Sequence, residues 1–237
     1  MAINRRKFAQ GVTIVAFMAG IPGAGYLAFG RAHEKDYLRP PGARDEREFL
    51  SLCIKCGQCV QVCPYYAVFL LDIDEGTATG TPVIRPEIRG CYLCDLLPCV
   101  LACPTTALNH DVSTAEQVRM GVAILTDREG CLAYQKKPVT SEMIDALIAH
   151  GVRSEQEKEL AEKLREYSGK NCSLCRDFCP YPERDAAITL NDDEAPEFHE
   201  QCVGCAVCGE LCPTQVIEMM PRKTYQEIYR KETGYEP

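Results

Sequence analysis

Cys53-Ile54-Lys55-Cys56-Gly57-Gln58-Cys59-Val60-Gln61-Val62-Cys63-Pro64 is the stretch on which the reading of this chain turns. Its pattern returns three times. The second run is Cys91-x2-Cys94-x4-Cys99-x3-Cys103-Pro104, widened by two residues in its middle gap. The third is split, with Cys131 far upstream of Cys172-x2-Cys175-x3-Cys179-Pro180. The fourth, Cys202-x2-Cys205-x2-Cys208-x3-Cys212-Pro213, is regular again. These four runs use all sixteen cysteines of the 237-residue chain.

Such a run fits the ligand set of bacterial [4Fe–4S] ferredoxins. A cubane needs a thiolate on each of four irons. Gaps of two residues let a tight loop wrap one face of the cube with its N–H groups aimed at the sulfurs. Three cysteines of a loop serve one cluster, and the fourth, a helical turn further on, points away to a neighbouring cluster. The proline after it lacks an N–H and has a fixed φ, which predicts the first turn of a helix. Structural zinc would use two Cys-x2-Cys pairs per ion rather than triplets with a fourth Cys-Pro. Disulfides would be the default in an exported cysteine-rich chain, but cysteines so close in sequence bridge poorly, and the Cys-Pro repeat would then have no meaning. The pattern therefore predicts four [4Fe–4S] clusters with all sixteen cysteines as ligands.

Around the runs the chain repeats a unit of strand, cluster loop, short helix and strand. Strand-like segments follow the Cys-Pro pairs at 67–71, 107–108, 186–190 and 216–219, and precede runs two to four at 82–88, 122–125 and 196–199. Glu75-Gly76 and Asn191-Asp192-Asp193 supply turns. Residues 33–48 are polar and read as a linker or cap. An insertion spans 132–171. Within it, 140–167 reads as helical, with Met143, Ile144, Leu147 and Ile148 on one face, Gly151 as a stop, and Leu160, Leu164 and Tyr167 among charges. Two readings apply to it: a partner-docking hairpin, or a solvated insertion packed beside its own cluster. Tyr65 and Tyr66 are expected to pack on a cluster. The tail, 222–237, is polar and carries Tyr225, Tyr229 and Tyr235.

The net charge of −8 excludes a nucleic-acid role. His33, His110, His150 and His199 lie outside every cysteine run, so they read as surface residues. No catalytic set of Ser/His/Asp type, phosphate loop or carboxylate pair is evident, which predicts a protein without its own catalytic site. At the N-terminus, Asn4-Arg5-Arg6-Lys7-Phe8 precedes an apolar stretch from Gly11 to Phe29. Paired arginines with a Gly-rich, mildly apolar segment resemble a twin-arginine export signal, here residues 1–32, either cleaved or kept as an anchor. That route carries folded proteins, so clusters would be inserted before export.

The paired arginines, then Arg39-Pro40-Pro41-Gly42-Ala43, the regular first run, the widened second and the split third together resemble the NapG/MauM family of periplasmic ferredoxin-type proteins over nearly the whole chain. The resemblance implies an electron-transfer protein in the periplasm, docked on or anchored to the inner membrane. Its partners would be a polytopic membrane iron–sulfur protein (NapH-like) that oxidises quinol and a periplasmic redox enzyme, a nitrate reductase in the NapG case. The alternatives are electron transfer in methylamine utilisation, as for MauM, and the electron-transfer subunit of a multi-subunit molybdenum oxidoreductase.

The same resemblance, shared with four-cluster subunits of molybdenum oxidoreductases, implies an α+β fold of two dicluster ferredoxin-like domains, one nested within the other. Residues 49–80 and 196–221 would carry runs one and four, and 81–195 runs two and three, joined by a hairpin from Ala107 to Leu125. The ligand sets would be Cys53, Cys56, Cys59 and Cys212; Cys202, Cys205, Cys208 and Cys63; Cys91, Cys94, Cys99 and Cys179; and Cys131, Cys172, Cys175 and Cys103. The competing arrangement pairs one with two and three with four, because sequential elements tend to be neighbours.

Overall fold

The computed structural model describes residues 36–149 and 151–230; the leader, His33, His150 and the tail beyond Arg230 lie outside the described residues. The chain enters along residues 37–44, which form a cap rather than a linker. Leu38 is buried and its carbonyl accepts from the Ile84 amide at 2.7 Å. Arg39 is buried between the rings of Tyr37 and Phe49, both 4.7 Å away, and donates to Thr81, to the Pro82 carbonyl and to both carboxylate oxygens of Glu46.

Helix α1, Glu46–Leu52, carries Glu46 and Glu48 in its first turn, where the helix dipole favours them, and buries Phe49 completely. Then come α2 (Gln58–Gln61), β1 (Val68–Leu70), β2 (Pro82–Ile84) and α3 (Pro98–Leu101). β1 and β2 form an antiparallel hairpin with Val68 opposite Ile84. Ala43, ahead of run one, bridges Leu108, beyond run two. This bridge closes the first unit on itself, and it is all that remains of the strand expected at 107–108.

The second unit repeats that plan at larger scale. β3 (Gly121–Leu125) precedes Cys131; the insertion supplies α4 (Ser141–Ile148) and α5 (Glu155–Arg165); α6 (Leu174–Asp177), α7 (Arg184–Ala187), β4 (Ile188–Leu190), β5 (Pro196–Phe198), α8 (Val207–Glu210) and β6 (Ile217–Pro221) follow. β4 and β5 form the inner hairpin between runs three and four, and β3 pairs antiparallel with β6, Ala123 opposite Met219. Each unit thus has an inner hairpin between its two runs and an outer pairing around them.

This pairing corrects the nested arrangement. β3 pairs with β6, so the hairpin from Ala107 to Leu125 does not form, and the units are consecutive: about 37–108, then 121–221. The physical reason is chain connectivity. The short β1–β2 hairpin joins runs one and two at a low loop-closure cost, and β4–β5 does the same for runs three and four.

The insertion packs into the core that both units share. Thr140 caps α4, and Ser154 with Glu157 forms a capping box on α5. Ile144, Leu160 and Leu164 enter the same core as Phe49, Val100 and Val207, so one apolar core spans both units. Lys158, Glu159 and Lys163 face solvent, as expected of a wet helix face. The insertion also reaches beyond its own run: Arg153 lies 4.6 Å over the Tyr66 ring of the first unit. Among the described residues no helix is long and apolar enough to cross a membrane.

Candidate metal centres

Each cysteine loop bends backbone toward sulfur. The backbone amides of Lys55, Leu93, Gly204 and Val207 pull down the thiol pKa of Cys53, Cys91, Cys202 and Cys205 respectively, against the larger upward push of burial. The turn needs left-handed backbone beside the second cysteine. Gly57 and Gly204 supply it readily, but Lys55, Leu93 and Ala206 are also left-handed, with φ of 58°, 46° and 72°. A non-glycine residue pays roughly 1–2 kcal/mol for this conformation. The split third run differs: Leu174 and Cys175 begin α6, and Cys131 comes from a separate loop.

The fourth cysteines share another device. The helix between third and fourth cysteine stops before the proline, so the Cys-Pro pair opens a tight turn rather than a helix. Tyr66, Thr106 and Gln215 are left-handed at the same offset in runs one, two and four. The turn aims the next amides back: Ala67 N–H lies 3.3 Å from the Cys63 sulfur and Leu108 N–H 3.4 Å from that of Cys103.

The sulfurs gather in four groups. Cys53, Cys56, Cys59 and Cys103 line one cavity. Cys63, Cys91, Cys94 and Cys99 line a second. Cys179, Cys202, Cys205 and Cys208 line a third, whose wall Cys175 also touches. The remaining four, Cys131, Cys172, Cys175 and Cys212, share one apolar cluster of the second unit and form the fourth. The fourth cysteine of each run is therefore exchanged within a unit. Cys103 joins run one rather than Cys131, and Cys63 joins run two rather than run four. Likewise Cys179 joins run four and Cys212 run three. This corrects the nested ligand sets while keeping every cysteine in a group of four.

The residues present fit a polynuclear, positively charged group. None of the cysteines is in a disulfide. Among the described residues no set of His, Cys, Asp or Glu side chains converges on a single metal ion; the thiols instead ring cavities. Burial, followed by repulsion from neighbouring sulfurs, pushes the Cys59 thiol to about 11 and that of Cys99 to about 12. Cys91, Cys175, Cys205 and Cys208 are likewise raised well above the ordinary thiol range, burial again first. Thiols packed this way give up their protons only to a bound cation that neutralises them. Of the sixteen, Cys56 is the exposed one, beside a 63 % exposed Ile54.

Two aromatic rings close the second cavity. Tyr65 and Tyr92 stack at 4.3 Å and line it together with Cys63 and Cys94. Tyr66 instead sits under Arg153. His110 bonds the Cys103 carbonyl and His199 bonds Thr189, so neither replaces a cysteine.

Sequence patterns did not reveal the buried charges beside the second cavity. Glu210 of α8 accepts from Arg89 at 2.9 Å, from the Gly90 amide at 2.7 Å and from the Tyr92 hydroxyl at 3.2 Å. Burial drives its carboxyl up to about 7, against the pull of Arg89 and of these hydrogen bonds. Arg89 also stands 3.1 Å from the buried Glu157 of α5. Their only sequence signal is an Arg-Gly pair directly before Cys91.

Comparison with known proteins agrees with this geometry. A family described as a 4Fe-4S dicluster domain matches residues 52–107, which is the first unit. The chain is 32% identical to the methylamine utilization ferredoxin-type protein MauM of Methylorubrum extorquens, over 91% of this chain and 85% of that one. It is 31% identical to the ferredoxin-type protein NapG of Escherichia coli, over 78% and 70% of the two chains. With NapG of Haemophilus influenzae it shares 30% identity over 92% and 72%. No solved structure matches the chain. Together with the cysteine geometry, these relatives show that the chain belongs to the NapG/MauM family of ferredoxin-type electron-transfer proteins.

Proposed function

We propose that this protein is a four-cluster electron relay of the periplasm, carrying single electrons between a membrane quinol-oxidising partner and a soluble redox enzyme. The observation that carries the reading is the gathering of all sixteen cysteines into four groups, three of them lining cavities and the fourth within one apolar cluster. Bound there, [4Fe–4S] clusters supply one-electron carriers whose potentials depend on hydrogen bonds to sulfur and on exposure. The chain does the rest. Its cysteines hold the clusters, its loop amides offset their negative charge, and its apolar walls keep water away. Cys56 and Ile54 leave one group open at the surface for exchange with a partner.

Two branches of relatives suggest two settings. The NapG resemblance implies a NapH-like donor and a nitrate reductase, and the MauM relatives are named for methylamine utilization. The Arg5-Arg6 leader supports twin-arginine export. Iron and sulfide analysis tests the core of the reading: about sixteen irons with matching sulfide per chain are expected. Zinc without sulfide would overturn it. Lysines in place of Arg5 and Arg6 should leave the loaded protein in the cytoplasm, and unchanged export would remove the periplasmic assignment.

A further inference from the structure

We infer that the two units are wired together at one backbone contact, the hydrogen bond from the Cys91 amide to the Cys205 carbonyl, and that Gly90 and Glu210 exist there to hold it. The inference rests on the cluster reading above. Cys91 belongs to the second group and Cys205 to the third, yet the amide and carbonyl meet at 2.7 Å.

The close approach is built in. A Cβ added at Gly90 would lie 2.5 Å from the Val207 nitrogen and 2.6 Å from the Ala206 carbonyl carbon. Those are backbone atoms and cannot swing aside. On the other side Ala206 is fully buried and left-handed. Glu210, one turn beyond, clamps the Gly90 amide, Arg89 and Tyr92, which flank Cys91 on both sides. No residue at this contact is exposed, so its polar groups face protein rather than water.

The contact fixes an order. The groups follow as Cys53/56/59/103, then Cys63/91/94/99, then Cys179/202/205/208, then Cys131/172/175/212. An electron crossing the contact oxidises the site holding Cys91 by one and reduces the site holding Cys205 by one. The Cys91 amide keeps its hydrogen, so no proton moves. Electrons come from a partner, or in the test from a one-electron reductant.

The test uses the full-length, cluster-loaded protein. Pulsed EPR of wild type, reduced stepwise with dithionite, should show magnetic coupling between a cluster of each unit as well as within each unit. Two isolated coupled pairs would overturn the junction. Flash photoreduction should give a concentration-independent phase in which electrons redistribute between units. Gly90→Val should lose or slow that phase while retaining iron and sulfide; an unchanged phase counts against the inference. Where Gly90→Val does not load, the wild-type EPR result decides alone. Iron content separates the two failures. Missing iron overturns the cluster reading, whereas full iron without inter-unit coupling overturns only the junction.

Discussion

Arg89 and Glu210 meet at 2.9 Å across 121 positions of sequence, and both are buried. The pair joins the segment just ahead of run two to the helix inside run four. Glu157, from the insertion, completes a buried triad with a single cation. Three segments that look independent in the sequence are therefore tied by one guanidinium.

Arg89→Met should destabilise the protein by about 3–5 kcal/mol, because it leaves two buried carboxylates without their cation. The check is the apparent unfolding midpoint of the loaded protein in denaturant, followed by visible absorbance. Replacing Glu157 and Glu210 by glutamine in the same background should restore part of the loss.

The exchange of fourth cysteines within a unit makes a prediction about double variants. Cys53 and Cys103 share a cavity. Cys53→Ser and Cys103→Ser combined should cost about four irons, the same as either alone, since a [4Fe–4S] site is lost once. Under the nested arrangement the pair would cost about eight.

Leu164 is 2 % exposed, on the inner face of the insertion. Leu164→Ala should cost about 2–5 kcal/mol, whereas Lys163→Ala on the outer face should change stability by less than about 0.5 kcal/mol. Thermal unfolding of both variants decides between a clamp and a free appendage. A hairpin reserved for a partner would tolerate both.

Arg39 makes its contacts as a fork, bidentate to Glu46 while also reaching Thr81 and the Pro82 carbonyl. A lysine cannot span these directions. Arg39→Lys should therefore lose about 1.5–3 kcal/mol, the worth of a charged hydrogen bond, read from the denaturant midpoint. Arg44, half-exposed and paired with Glu48, should tolerate the same change.

What the sequence disclosed depended on range. The cysteine runs were legible because their geometry is local: a gap of two residues is a turn, and a gap of three a helical step. The strands at 68–70, 82–84, 121–125, 188–190, 196–198 and 217–221 were legible from apolar runs and turn residues. The partner of each fourth cysteine was not, because Cys63 points away from its own loop and any triplet could receive it. Lys55, Leu93 and Ala206 gave no sign of left-handed backbone, since none is glycine. Nor did Arg89, Glu157 and Glu210 announce a buried triad, since charges are normally read as surface. The resemblance to nested four-cluster subunits misled at the point where short hairpins decide the pairing.

The split third run has a consequence for the order of assembly on the ribosome. The first unit has all eight of its sulfurs once Cys103 emerges, and its closing bridge needs only Leu108. The second cannot close until much later. Cys131 waits for Cys212, and β3 waits for β6, whose last residue is Pro221. For about a hundred codons the nascent chain would thus carry a finished half and an open one. Cluster delivery would come in two instalments, and only the second would complete the fold.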